Sequence, residues 1–365
     1  MDMHWKDKVV CLLFSLLLAG GFLLCVFLPD KKYSDSERRF LATMPSFTAD
    51  AVWSGRFMSD FESYAVDAFP ARDAFRRGKA LTAAHVFARQ DNNGIYTADG
   101  FLCAVEYPLD EDSFMRAIER FRYVCDKYLT EENRIFMSLI PDKNCFLAKE
   151  SGHLSLDYDE VEEQVAKMAD FAEYIPISDL LGKEDYYKTD THWRQENITD
   201  VADRLAQAMG TELLAEYELS VAKEDFYGVY YGQAALPHEP DRLCYLTGDA
   251  IAQAIVYDWQ NGRKIPVYDM EKADGRDPYE MFLSGSLSLI TMENPHATGD
   301  KKLVLFRDSF GSSIAPLLIS GYSQITLVDI RYIHPDSLGQ FIDFTGCDVL
   351  FLYSTLVWNH SETLK

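Results

Sequence analysis

Positive charge is scarce in this chain of 365 residues: 35 Lys and Arg stand against 58 Asp and Glu, a formal net charge of -23. A phosphate backbone demands a basic surface, so nucleic acid is excluded as a partner. The acidity itself speaks for solubility and names no ligand. Closely spaced cysteines are lacking too. Of the seven, Cys11 and Cys25 fall in one apolar run, and Cys103, Cys125, Cys145, Cys244 and Cys347 form an odd set without close spacing. That pattern is neither a disulfide framework nor a metal site, and it reads as buried free thiols. His153, His238, His296, His334 and His360 each stand alone, so no metal is expected. Internal repeats and low-complexity tracts are missing as well. What remains is a chain long enough to bury a full core, as one domain or as a domain with a sizeable insertion.

Charge and proline are absent from residues 9–28. A helix of that length, rising about 1.5 Å per residue, spans roughly 30 Å, the thickness of a bilayer core. The run is longer than the apolar part of a signal peptide. It is followed by Pro29-Asp30-Lys31-Lys32 and not by a small-x-small cleavage site, and Leu23-Leu24 before Cys25 fits a lipoprotein site poorly. The expectation is a short tail at residues 1–8, an uncleaved transmembrane anchor at 9–28, and everything else on one side of the membrane. Lys6 and Lys8 flank one side and Lys31, Lys32, Arg38 and Arg39 the other, so charge leaves the orientation open.

Beyond the anchor, Trp53, Phe57, Phe61 and Tyr64 have the spacing of one helix face. Residues 29–90 are therefore expected to be a helical juxtamembrane region packing on a main domain at 91–365. Turns at Asn92-Asn93-Gly94 and Asp99-Gly100 frame a small hairpin. Helical periodicity over 112–128, 159–172, 199–209 and 312–319 alternates with apolar strands at 134–140, 174–177, 303–306, 324–330 and 349–353. Such alternation implies an α/β fold, a parallel sheet covered by helices on both faces. Short alternating stretches broken by Gly, Pro and Asp mark a strand-rich insertion at about 213–301.

Two motifs carry the chemistry: Asp190-Thr191-His192-Trp193, and Arg307-Asp308-Ser309-Phe310-Gly311 directly after the strand Leu303-Val304-Leu305-Phe306. Ligands collect at the carboxyl ends of parallel strands, where Ser309 falls. A strand-to-helix junction also lifts a hydroxyl out of the fold beside unpaired backbone N–H groups. Serine is a poor nucleophile until a base takes its proton, and imidazole is a reliable base when an acid fixes its tautomer. Asp190 and His192, two residues apart, suit that pairing. The alternative for Asp308 and Ser309 is helix capping. For Asp190 and His192 it is local loop bonding, with Trp193 as a core aromatic. Arg331 stands at the end of a later strand, ready for substrate, for an oxyanion or for a salt bridge with Asp329; Lys143 and Asn144 end an earlier strand.

Taken together, Tyr186-Tyr187-Lys188-Thr189-Asp190-Thr191-His192-Trp193, Phe306-Arg307-Asp308-Ser309-Phe310 and Val328-Asp329-Ile330-Arg331-Tyr332 resemble the DHHW family, related to the SGNH-hydrolase-like O-acetyltransferases of alginate and other exopolysaccharides. Ser36-Glu37-Arg38-Arg39, Asn93-Gly94-Ile95-Tyr96 and the amino-terminal span are similar too, so the likeness covers nearly the whole chain. Thr191 departs from the family's name motif, giving the Asp-Thr-His-Trp form of the alginate enzymes. The resemblance implies an SGNH-hydrolase-like fold, Ser309 as nucleophile, His192 as general base and then acid, and Asp190 as its orienting partner. Substrate or oxyanion contacts would come from Arg331, Lys143, Asn144 or Trp193. It implies no cofactor, a polysaccharide substrate, and a membrane-bound O-acyltransferase as the source of acetyl groups outside the cytoplasm. The alternatives are a carbohydrate esterase with the same triad and a non-catalytic polysaccharide-binding scaffold.

Overall fold

The computed structural model describes residues 5–34 and 36–365; of the tail expected at residues 1–8, residues 1–4 lie outside them. The chain forms two compact units, residues 1–92 with 232–237, and residues 93–231 with 238–365.

The first unit begins with α1 (Trp5–Phe27), which has no buried residue. With 23 residues and an 18-residue stretch of mean hydropathy 2.8, it is long and apolar enough to cross a membrane. The helix expected to carry Trp53, Phe57, Phe61 and Tyr64 on one face is two helices, α2 (Ala49–Trp53) and α3 (Arg56–Asp67). The chain turns between them at Gly55, φ 76, a left-handed conformation that ends helices. Trp53 is thereby left on α2, 89% exposed, while Phe57, Phe61 and Tyr64 share a face of α3. Helix α4 (Arg72–His85) follows.

The second unit opens with the expected hairpin, β1 (Ile95–Ala98) against β2 (Phe101–Ala104). Helix α5 (Glu111–Tyr128) starts at Asp110, whose side chain accepts the Ser113 N–H. Acidic residues fill its first turn and Lys127 its last, as the helix dipole favours. Strand β3 (Ile135–Ile140), α6 (Asn144–Ser151), α7 (Tyr158–Met168) and β4 (Glu173–Tyr174) come next. The strand expected over 174–177 stops early because Pro176 has no N–H to give the ladder. After α8 (Thr199–Ala208), β5 (Glu218–Phe226) and β6 (Asp241–Thr247) form an antiparallel pair of their own. The chain then adds β7 (Ile255–Asp258), β8 (Arg263–Ile265) and β9 (Leu289–Glu293). It closes through β10 (Lys302–Arg307), α9 (Gly311–Leu318), β11 (Gln324–Val328) and β12 (Asp348–Ser354).

Eight strands make the main sheet, in the order β8-β7-β9-β11-β10-β12-β3-β4. The five from β11 to β4 run parallel, as expected. Strands β7, β8 and β9 extend the sheet antiparallel, so part of the 213–301 stretch completes the sheet. Alternation along β10 sends Leu303 and Leu305 into one core with Val201 and Leu205 of α8 and Ile314 and Leu317 of α9. It sends Val304 and Phe306 into the opposite core with Phe114 and Phe121 of α5 and Val161 and Val165 of α7. Both faces being covered, the strand must be apolar throughout, which is why it reads as an unbroken run.

Candidate active site

Ser309 sits in the turn between β10 and α9. The turn is tight: a Cβ on Gly311 would lie 2.5 Å from the Arg307 Cβ, so only glycine lets the helix start so close to the strand. Asp308 stabilises it from inside. One carboxylate oxygen accepts the Phe310 N–H at 2.9 Å and the other the Ser354 N–H at 2.8 Å, tying the turn to the end of β12. The capping alternative weighed for Asp308 and Ser309 thus describes Asp308 alone. Ser309 is left with its hydroxyl outward, and among the described residues its N–H has no hydrogen-bond partner.

The second motif is a loop clamped at several points. Lys188 and Thr189 N–H both donate to the Asp241 carboxylate at 2.8 Å. From below, the buried ammonium of Lys143 donates to the carbonyls of Tyr187, Lys188 and Asp190 at 2.8, 3.3 and 2.7 Å. Burial pushes the Lys143 pKa down, against Cys103, Asp190, Asp241 and Asp142, which hold it up. The loop is fastened to the other motif by Trp193, whose indole N–H donates to Ser313 Oγ at 2.8 Å and to the Phe310 carbonyl at 3.2 Å.

This clamping brings the three side chains into line. Asp190 Oδ1 lies 2.6 Å from His192 Nδ1, and His192 Nε2 lies 2.8 Å from Ser309 Oγ. The other carboxylate oxygen of Asp190 accepts the Val229 N–H at 2.8 Å. Asp190 is 1% and His192 12% exposed at the side chain, so the acid is dry and the imidazole opens on one side only. The Tyr279 ring stacks on the imidazole, centroids 3.7 Å apart and planes within 8°. Its own hydroxyl donates to Ser313 Oγ at 2.9 Å.

Ser309, His192 and Asp190 open on a cavity of about 210 Å³, which is also lined by Tyr279, Ser286 and Ser312. The hydroxyl of Ser312 is buried without a hydrogen-bond partner. Between the lining residues Phe282 and Gly285, Leu283 and Ser284 both hold left-handed backbones, φ 53 and 58, strain of the kind that gathers at functional sites. Tyr279 and Ser312 have no sequence signal as site residues. Ser312 and Ser313 are visible only as the polar pair at the start of an otherwise apolar helix, Ser312 one turn after Ser309.

The other candidates are placed elsewhere. Arg331 is held by Asp329 through two bonds, at 2.9 and 2.7 Å, which is the salt bridge weighed against a substrate role. Asn144 accepts the Tyr96 hydroxyl at 2.5 Å and donates to the Ala104 carbonyl at 2.6 Å. Lys143 is spent on loop carbonyls, and Trp193 is fully buried. None of these four lines the cavity. Among the described residues no group of three or more His, Cys, Asp and Glu is placed to hold a metal ion.

The role of Lys143 is testable. Lys143→Met strips the buried carbonyls of Tyr187 and Asp190 of a charged donor, while the Lys188 carbonyl keeps the Leu102 N–H, and an unsatisfied buried carbonyl costs about 1–3 kcal/mol. The variant should melt roughly 5–10 °C lower in a calorimetric scan. A Tm within a degree of the parent would mean that the ammonium does not hold the loop.

No family model matches the chain, and no curated protein sequence does either. Solved structures do. A DHHW family protein from Eubacterium siraeum superposes with a TM-score of 0.59 at 19% identity, over 75% of this chain and 94% of that one. PatB1 of Bacillus cereus, solved with a sulfonyl adduct, gives 0.57 at 17% identity over 72% and 95%. A second PatB1 structure gives 0.53 at 17% identity over 72% and 96%. At such identities the likeness is one of fold, and the fold is the expected α/β arrangement, a mostly parallel sheet covered by helices on both faces.

Proposed function

We infer that this protein is an O-acetyltransferase, tethered to a membrane through α1 and facing away from the cytoplasm, that moves acetyl groups onto hydroxyls of a cell-surface polysaccharide. The observation that carries the reading is the relay from Asp190 through His192 to Ser309, open to a cavity of about 210 Å³ with room for an acetyl group. His192 Nε2 takes the Ser309 proton as Oγ bonds to the acetyl carbonyl carbon. Ser309 N–H and the Ser312 hydroxyl, both without partners, are donors for the resulting oxyanion. Collapse breaks the bond to the donor's leaving group, which receives the proton from His192, and leaves acetyl-Ser309. A sugar hydroxyl then attacks, its proton passing to His192. The second collapse transfers the acetyl group and returns the proton to Ser309 Oγ. Asp190 keeps Nδ1 protonated throughout, so Nε2 is the face that exchanges protons. Acetyl groups reach this side of the bilayer from a membrane-bound O-acyltransferase acting as partner.

Water attacking the same acyl-serine would make an esterase, so the test carries an acceptor. PatB1, alike in fold, bears a sulfonyl adduct, which suggests the probe. The full chain in detergent is treated with a sulfonyl fluoride, and separately with an activated acetyl ester with and without oligosaccharide. Peptide mass mapping should place the sulfonyl and acetyl groups on Ser309, and the oligosaccharide should gain acetyl groups. Acetate release without any acetylated sugar, across several acceptors, would give the esterase. No adduct at Ser309 with either reagent would end both readings in favour of a scaffold.

A further inference from the structure

Asp67 is the sole buried residue of α3, yet the helix carries a line of aromatic rings. Phe47 meets Phe57 edge-on at 5.2 Å, Phe57 stacks on Phe61 at 6.0 Å, and Phe61 lies 6.1 Å from Tyr64. That line ends at the apolar span: the Tyr64 hydroxyl donates to Asp30 at 2.9 Å, just beyond the end of α1. Beside this bond a cavity of about 410 Å³ is lined by Leu28 and Lys31 on one side and by Phe69, Pro70 and Ala74 on the other. The carboxyl end of α3 therefore stands where α1 ends. Elsewhere in the same segment, Phe47, Trp53 and Met58 near the amino end of α3 and Phe75 beyond its carboxyl end are 77%, 89%, 66% and 64% exposed.

An apolar face of this extent marks a contact with something apolar, and amphipathic aromatic rings settle at the headgroup level of a bilayer. Residues 29–90 hold ten Lys and Arg against eight Asp and Glu, in a chain whose net charge is -23. Within them α2 and α3 hold Arg56 against Asp50, Asp60, Glu62 and Asp67, so the grip of these two helices comes from apolar rings and not from lipid charge.

We propose that α2 and α3 lie in the headgroup layer of the membrane, with the rings of Phe47, Trp53, Phe57 and Phe61 in the upper acyl region. This rests on the reading of α1 as a membrane anchor. An interfacial helix of this kind binds through buried apolar area. It gives the chain a second, independent grip on the bilayer and fixes the height at which α1 hands over to the rest. A bilayer fits better than a protein partner because the tether at Tyr64 and Asp30 brings the aromatic line to the depth at which α1 leaves the lipid.

The test uses the full chain in vesicles of phosphatidylcholine and phosphatidylglycerol, with Trp53 emission isolated as the difference between the parent and Trp53→Phe. Lipid brominated near the top of its acyl chains should quench Trp53 strongly, lipid brominated at the chain ends weakly, and aqueous acrylamide little. Phe57→Ser with Phe61→Ser, the first half-buried and the second exposed, should weaken the lipid quenching several-fold. If acrylamide quenches Trp53 as it does an exposed indole while brominated lipid has no effect, the proposal is overturned and the face is open to a protein instead. An alkaline wash of the same vesicles reports α1 separately. Chain resisting the wash with unquenched Trp53 leaves the anchor standing and removes this inference; chain lost to the wash, yet quenched by brominated lipid beforehand, does the reverse.

Discussion

Ser309→Ala should lower ester turnover by roughly six orders of magnitude in kcat, the scale on which a serine triad loses its nucleophile, and leave the fold intact. The side chain of Ser309 makes one hydrogen bond, to His192 Nε2 at 2.8 Å. The turn that presents it is held by other groups, Asp308 on the Phe310 and Ser354 N–H and Gly311 against Arg307. Deleting one hydroxyl at a solvent-facing cavity therefore takes nothing from the core, and a change within about 0.5 kcal/mol is expected in a denaturant titration. The combination separates chemistry from folding: activity gone, stability kept. His192→Ala should fall almost as far, and the double variant no further, because the two groups act as one unit. If Ser309→Ala kept a tenth of the parent activity, the reacting group would lie elsewhere in the cavity.

Strand β10 and its motif are legible from sequence for the same reason that they work. A strand buried on both faces must read as an apolar run, and a turn that hands over to a helix at van der Waals limits must contain glycine, as Gly311 does. Helices α5 and α7 announce themselves through apolar residues three and four apart; Asp110 and Asp157, which cap their starts, lie two residues ahead of where the periodicity begins. Local chemistry of this sort is written in adjacent residues. Contacts across long separations are not. Nothing near Lys143 says that its ammonium will be spent on carbonyls of residues 187, 188 and 190, so a lysine ending a strand reads equally well as a substrate contact. Arg331 is similar, although Asp329 two residues earlier carries half of the signal. Tyr279 comes to the imidazole from a segment with no motif at all. The antiparallel strands β7 to β9 read as an insertion because short alternating stretches do not disclose which sheet they will join.

Asp190→Asn should cost about four orders of magnitude in kcat, and the reason lies in where both oxygens are engaged. One accepts from His192 Nδ1 at 2.6 Å and the other from the Val229 N–H at 2.8 Å. A carboxylate accepts at both positions, whereas an amide accepts at one and donates at the other. If the amide NH₂ faces Val229, two donors are forced together in a place that the backbone cannot vacate. The two segments are pressed together, a Cβ on Gly228 falling 2.2 Å from the Asp190 Cβ, and they are held there by the Gly228 N–H on Thr189 Oγ1 at 2.8 Å and the Tyr230 N–H on the Thr189 carbonyl at 3.1 Å. If the NH₂ faces the imidazole instead, Nδ1 must become the acceptor and the proton moves to Nε2. That tautomer cannot take the Ser309 proton, though every heavy atom is in place. The second arrangement sets the NH₂ against the His192 N–H, which lies 3.2 Å from that oxygen, a longer and weaker opposition than the one at Val229 at 2.8 Å, and it is the one expected. The variant should therefore retain a near-parental Tm, with the imidazole nitrogen signals of His192 exchanged between Nδ1 and Nε2 in an NMR spectrum. Parental activity in Asp190→Asn would show that the imidazole is oriented by the Tyr279 ring alone, and that the carboxylate serves the loop and not the reaction.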